Sequence, residues 1–478
     1  MIVESIRPIP LRSSKLSPLA TPHPTQLHEQ SIPTKKTKES EMAQSILIIG
    51  AGIFGTSTAY HLSRSPPHPD TTITVIDRTP YPPKHAASTD INKIVRTDYT
   101  SRFYMELAES AMQAWSTWPE LRPFFHRTGW INIEKEGSNI GERIRRNFIE
   151  RGCDPTSDVV LDDGLRERWG GLLKETSFEG LGGAYWNPEV GWVDAGAAVE
   201  KMMEMAMSRG VRYVCGDVER LVLGEKGVKG VRLREGATFE AEKVLLCTGA
   251  WTSALMSGTE DELGIEEKDR VERQASAAGV CCAHFRLTDE EMKEMEKMPI
   301  VIYADQGDVQ PPPKRNGPEG NLLKCTNARS FSHYVTTRSG HRISVPPDRD
   351  QRVVPKWLQQ ETLDEMALKA VPQYASRGVE YFRLCWDSIT PQQEQLLTKH
   401  PHPQLSNLYL AIGGSFHSWK FLPIIGEFVA NVLCAKSNGE DKDATWAWKL
   451  DTTLRNGAHE KVIPERDLKD LEDNASPM

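Results

Sequence analysis

Apolar and polar positions are most regular just after position 44. "SILIIG" is an unbroken apolar run ending in glycine, the pattern of a short strand buried on both faces. Residues 54–63 then place apolar side chains at helical spacing, and "TTITVIDR" follows as a second strand rich in β-branched residues. Strand, helix and strand in immediate succession predict a βαβ unit and hence a parallel sheet. Further helical patterns run over 103–118 and 195–209. Strands are expected at 212–215, 230–233, 243–248 and 408–412, whereas residues 306–320 are Pro-rich and irregular. Residues 1–42 carry neither period and are rich in Pro, Ser, Thr and Lys, so a disordered N-terminal extension is expected there. Met42 directly precedes the first strand, and translation from Met42 accounts for the extension as well as a cleaved or idle tail does. At the other end, residues 437–478 read as a charged linker and a tail whose "TWAWKLD" packs back on the fold.

At 478 residues the chain is long enough for two to three domains or two interleaved ones, each with an adequate core. A net charge of −8 with scattered basic residues gives no general attraction to nucleic acid or to an anionic membrane. The best apolar stretch, "FLPIIGEFVANVLCA", is shorter than the roughly 20 residues of a spanning helix and contains Glu427 and Asn431. Eight cysteines without CxxC pairs predict reduced thiols in an intracellular protein, and no Cys or His spacing supports a metal site. The terminal "NASPM" is not the common peroxisomal signal, so cytoplasmic and peroxisomal locations both stand, and a soluble monomer is expected.

Candidate chemistry enters with "GAGIFG". Gly50, Gly52 and Gly55 follow the first strand and open a helix: the first permits the tight turn, the second lets backbone approach a pyrophosphate, and the third lets helix and strand pack closely. Asp77 ends the next strand, where a carboxylate can accept hydrogen bonds from an adenosine ribose. Together they predict dinucleotide binding. "EKVLLCTGAWT" ends a further strand in the small-residue bend Thr248-Gly249, and "LYLAIGGSFHSWKFLPIIG" ends another in Gly413-Gly414, with a helix expected to start near Pro423. In "YFRLCWDSITPQQ" one residue is harder to place. Cys385 could be a metal ligand, a nucleophile, half of a disulfide, a buried filler or an attachment point.

"ILIIGAGIFGTSTAYHL", "ASTDINKIVRTDY", "NPEVGWVDA", "LCTGAWT", "RLCWDSITP" and "GGSFHSWKFLPIIG", in this order, resemble the fungal FAD-dependent amine oxidases of the sarcosine oxidase type, relatives of the fructosyl amino acid, pipecolate and saccharopine oxidases. The resemblance implies an α/β fold in which a Rossmann-like FAD-binding domain (43–118, 190–262 and 381–436) is interleaved with an α+β substrate domain on a mixed or antiparallel sheet (119–189 and 263–380). It implies oxidation of the C–N bond of a secondary amine or N-substituted amino acid to an imine, with oxygen reduced to hydrogen peroxide. It also implies a thioether between Cys385 and the flavin 8-methyl group; a thiolate is nucleophilic enough for that bond and needs no partner cysteine. The remaining FAD contacts implied are Ile53, Phe54, Arg78, Ser88, Thr89, Val218, Trp251, Gly414 and Ser415, beside the glycines, Asp77, Thr248 and Gly249.

Five basic residues stand in matched segments. Arg96 and Lys420 match a substrate-carboxylate clamp, Lys93 and Lys324 match positions against the flavin where a cation assists the oxygen reaction, and His417 is either a flavin neighbour or a structural histidine. The chain departs from the pattern in "GDVQPPPKRNGPEGNLLKCTNARSF", where Asn327-Ala328 replaces the active-site histidine region, and in Lys449 of the tail; a bulkier or aromatic secondary amine therefore stands as a substrate class beside sarcosine and simple fructosyl amino acids. No general base is assigned. The alternatives are an FAD-dependent amine dehydrogenase or tailoring oxidoreductase with another acceptor, and a flavin-binding protein without turnover.

Overall fold

The computed structural model describes residues 44–314, 317, 320–453 and 462–472. The expected disordered extension, 1–42, lies outside the described residues. β1 (Ser45–Ile49), helix α1 (Ile53–Arg64) and β2 (Thr72–Asp77) form the βαβ unit, with β1 and β2 parallel. The six-stranded sheet around them runs in the order Leu396–Lys399, Leu408–Ile412, Lys243–Leu246, β1, β2, Arg212–Cys215. All its pairings are parallel except that of the edge strand Leu396–Lys399, which runs antiparallel. Ile46 and Ile48 face one core with α1 and α2 (Arg102–Thr117); Leu47 and Ile49 face another with Leu246 and Leu410. This two-sided burial is why β1 reads as a continuous apolar run.

The second large sheet has eight strands in the order Tyr381–Ile389, Ser276–Arg286, Leu322–Phe331, Gly307–Gln310, Ile300–Tyr303, Trp130–Lys135, Leu181–Asn187, Ser157–Val159. It is mixed: Ile300–Tyr303 and Trp130–Lys135 are parallel and the other pairs antiparallel. Ala283, Phe285, Leu323, Cys325, Val301 and Val309 lie in one apolar cluster. Directly paired residues share a face, so Cys282, His284, Lys324, Thr326, Asp308, Arg383 and Cys385 all fall on the opposite one. One face of this sheet is core and the other carries chemistry.

Several boundaries differ from the sequence reading. Residues 306–320 are not wholly irregular, because Gly307–Gln310 pairs into the sheet on both sides. The strand carrying Cys385, grouped from sequence with the dinucleotide-binding segments, is bonded along Ser276–Arg286 in the eight-stranded sheet. The helix expected near Pro423 runs over Ile425–Leu433. It packs so closely on α1 that a Cβ on Gly426 would meet the Ser57 carbonyl carbon at 2.1 Å. The charged segment after 436 includes a short helix, Glu440–Thr445, and Trp446 behind it is buried, its indole N–H donating to Gln395 at 3.0 Å. Among the described residues, no helix is long and apolar enough to cross a membrane.

Candidate active site

The glycine turn has the geometry its residues demand. Gly50 has φ +100°, and its N–H donates to the Ile76 carbonyl at 2.8 Å. A Cβ there would lie 2.4 Å from the Cys247 carbonyl oxygen, so both conformation and space call for glycine. A Cβ on Gly55 would lie 1.9 Å from the Gly50 carbonyl oxygen, because α1 sits directly on the turn. The first-turn N–H groups of α1 point away from the helix and have no intrahelical acceptors, the arrangement that favours an anion. Beside them the Asp77 carboxylate accepts the Ala51 N–H at 2.8 Å, and burial pushes its pKa up against that bond.

A cavity of about 280 Å³ extends from this turn to the eight-stranded sheet. Gly50, Gly52, Ile53, Phe54, Asp77 and Arg78 line one part; Val218, Thr248, Gly249 and Trp251 form another wall; Ser88, Lys93, Cys385 and Gly414 line the rest. Arg78 stacks on Trp251 with 4.5 Å between guanidinium carbon and ring centroid. Ser88 Oγ and Thr89 Oγ1 are buried without a hydrogen-bond partner. Of the expected contacts, Gly55, Thr89, Ser415, Arg96, Lys324, His417 and Lys420 are not among the lining residues.

Lys93 reaches the buried Cys385 thiol, with 3.9 Å from Nζ to Sγ. Asp90 sits behind it, 3 % exposed, and its Oδ2 accepts from both Lys93 Nζ and Lys324 Nζ at 2.9 Å. Arg383 comes within 3.7 Å of the other oxygen. Burial alone would raise the Asp90 pKa, but Lys324, Lys93 and Arg383 together hold it well below the carboxylate range. Burial, the largest influence, would lower Lys93, but Asp90 together with Cys385 and Cys282 outweighs it, so the ammonium form is favoured. Lys324 also donates to the Asn92 carbonyl at 2.9 Å.

The loop after Leu408–Ile412 is held by Asp387, whose carboxylate accepts the Phe416 N–H and the Ser388 N–H at 2.8 Å each. A Cβ on Gly414 would come within 2.5 Å of that carboxylate. Ser415 and Phe416 both have positive φ, 47° and 58°, a costly conformation for residues with side chains and one that clusters at functional sites.

Arg96, His417 and Lys420 converge on Tyr99. The Arg96 guanidinium carbon lies 4.2 Å from the Tyr99 ring centroid. Lys420 Nζ donates to the Tyr99 hydroxyl at 2.8 Å and to the His417 carbonyl. His417 Nε2 lies 2.6 Å from the Gln393 carbonyl and therefore carries the proton; Nδ1 then accepts from Tyr99 at 3.1 Å. These bonds make His417 a well-anchored loop residue. Burial first, and Arg96 second, push the Lys420 pKa well down. Sequence reasoning missed Asp90, Arg383, Asp387 and Tyr99. Asp90 had a signal, since it is the acid within "ASTDINK", three residues before Lys93.

A glycine turn, a helix N-terminus, an acid at the end of the second strand and a cavity reaching a second sheet are the arrangement of a dinucleotide-binding fold. The chain belongs to the FAD dependent oxidoreductase family, whose match spans residues 45–432. It is 27 % identical over 434 residues to L-saccharopine oxidase of Schizosaccharomyces pombe, covering 86 % of this chain and 94 % of that one. An amino acid oxidase of Aspergillus fumigatus is 26 % identical over 475 residues, covering 80 % and 90 %. Among solved structures, fructosyl amine: oxygen oxidoreductase (Amadoriase I) of Aspergillus fumigatus superposes with a TM-score of 0.74 at 27 % identity, covering 91 % of this chain and 97 % of that one. The protein is an FAD-dependent oxidoreductase with the mixed α/β fold of these enzymes.

Proposed function

We propose that this protein oxidises the C–N bond of a secondary amine or N-substituted amino acid to an imine and passes the electrons through FAD to oxygen, forming hydrogen peroxide. The observation that carries the reading is the cavity that joins the glycine turn to Lys93 and Cys385. The names of the relatives, a saccharopine oxidase, an amino acid oxidase and a fructosyl amine oxidoreductase using oxygen, support the substrate class and the acceptor. The residues present fit FAD. Gly50, Gly52 and the α1 N-terminus would take its pyrophosphate, Asp77 its ribose, and the partnerless hydroxyl of Ser88 one of its polar edges. When bound, the flavin supplies the two-electron acceptor.

The proposed attachment point is Cys385. Its thiol would hold the flavin by a thioether, an attachment that is a two-electron oxidation and would therefore need oxygen. Lys93, against Cys385, and Lys324 behind it are the proposed cations for the oxygen reaction. Arg96 and Lys420 are the proposed clamp: a substrate carboxylate would be the counter-ion that Lys420 does not find in Tyr99 or the His417 carbonyl. The two-domain division of the sequence, with Tyr381–Ile389 as the strand joining cofactor and substrate parts, belongs to the same reading, as does a monomer inside the cell, which sedimentation and fractionation test.

The function is tested by adding a library of amines and N-substituted amino acids to the yellow protein under nitrogen. The expected result is bleaching by one class and recovery in air with peroxide released. Bleaching that recovers only with an artificial acceptor would make the protein a dehydrogenase, and no bleaching at all would remove the catalytic reading. For Cys385, colour should stay on acid-precipitated wild-type protein and be released from Cys385→Ser. Complete release from fully matured wild type would end the covalent proposal.

A further inference from the structure

The three cations around Asp90 come from three separate segments: Lys93 from its own, Lys324 from Leu322–Phe331, and Arg383 from Tyr381–Ile389. One oxygen of Asp90 takes both ammonium groups at 2.9 Å, while the other accepts the Ile91 N–H at 2.8 Å and faces Arg383. Lys324 and Asp90 are almost wholly out of water, at 1 % and 3 % side-chain exposure. Two ammonium groups this close repel strongly unless an anion lies between them. Among the described residues, Asp90 is the only carboxylate within ion-pair distance of either lysine. Of the other groups facing the cluster, Asp308 is bonded to Gln310 at 2.6 Å and lies beyond ion-pair distance, yet it still feels Lys324 and, more weakly, Lys93 against the rise that burial gives its pKa. His284 is pushed down to about 3 by burial and stays neutral, and Cys282 and Cys385 complete the surroundings.

We infer that Asp90 is a positioning residue that sets the place and the charge of Lys93 and Lys324, and through them the oxygen reaction. It touches neither substrate nor reacting atoms in this reading, which rests on the proposal that the two lysines serve the flavin. The direction of the Lys93 shift agrees, since Asp90 is the largest of the groups that together outweigh burial there. Without the carboxylate Lys93 would lose the largest group that opposes its burial and would give up its proton at a lower pH.

The test uses the full-length yellow protein, reduced with dithionite under nitrogen and mixed with oxygen from pH 6 to pH 10, so that no substrate is needed. In Asp90→Asn the reoxidation rate should fall by about tenfold or more at high pH, and its descending limb should move down by about one pH unit or more. Lys93→Met and Lys324→Met should each slow the reaction, and Asp90→Asn should add less than about twofold when both are already Met, since groups acting as one unit are not additive. A readout independent of turnover is thermal denaturation. Asp90→Asn and Lys324→Met should each lower Tm, and the double variant by less than their sum. If Asp90→Asn does not accumulate, Asp90→Asn/Lys324→Met, which removes one charge of each sign, is compared with Lys324→Met alone. A wild-type pH profile together with additive Tm changes would overturn the role of Asp90 alone. Unchanged reoxidation in both lysine variants would instead overturn the flavin-facing reading and the inference with it.

Discussion

Lys93 and Lys420 each lie within a buried cluster, and burial acts on both in the same direction. The outcomes are opposite. Lys93 meets Asp90 and is held as a cation; Lys420 meets a tyrosine hydroxyl and a backbone carbonyl, with Arg96 nearby, and is pushed toward the neutral amine. What decides the charge of a buried amine is therefore its counter-ion: Asp90 bonds Lys93 directly, whereas in the second cluster the buried carboxylate, Asp98, faces Arg96 and not Lys420. The first is complete in itself. In our reading the anion for Lys420 is brought by the substrate.

The largest effect should come from breaking the complete cluster. Lys324→Met leaves Asp90 with one ammonium instead of two, and denaturant unfolding should show a loss of about 3 kcal/mol, the lower end for a broken buried pair. An equal loss in Lys420→Met would erase the contrast. Asp90 adds an acid signature: its pKa is depressed, so its contribution is present above the ordinary 3.8 and is lost only as pH falls through the lowered value.

Next in size is the clamp. Arg96→Ala or Lys420→Ala should raise the apparent substrate constant by about 30-fold or more, near 2 kcal/mol, with flavin content nearly unchanged. Wild-type kinetics in both variants, or a true substrate without an acidic group, would return these residues to structural roles.

A subtler separation lies in pH. The unfolded chain protonates Lys420 below the ordinary 10.5, whereas the folded protein resists until its lowered pKa, so stability falls as pH drops through that window. Lys420→Met removes this penalty. Relative to wild type, its Tm should therefore be more favourable at pH 7 than at pH 10, and a pH-independent difference would contradict a neutral Lys420. The smallest change is Tyr99→Phe, which removes one hydroxyl bonded to both Lys420 and His417 and should cost about 1 kcal/mol in stability.

Some of this was readable in the chain. The glycine turn was, because Gly50, Gly52, Gly55 and Asp77 are close in sequence and a tight turn against a helix N-terminus imposes local requirements on backbone space. The apolar run of β1 announced a doubly buried strand for the same local reason. Lys93, Arg96, Lys324, Cys385 and Lys420 could be picked out from their segments, but their states could not. Lys93 meets Cys385 across 292 positions and Lys324 meets Asp90 across 234. Neither distance leaves a mark on the local pattern. Nor could the sequence place the Cys385 strand in the eight-stranded sheet, where alternation puts Cys385, Arg383, Lys324 and Cys282 on one face. Propensity and turn geometry act between neighbours along the chain, whereas desolvation and Coulomb attraction depend on neighbours in space. Asp90 stands only three positions from Lys93, so that pairing was open to the sequence; that both lysines would be buried, and that Lys420 would meet a tyrosine hydroxyl and a carbonyl, was decided only by folding.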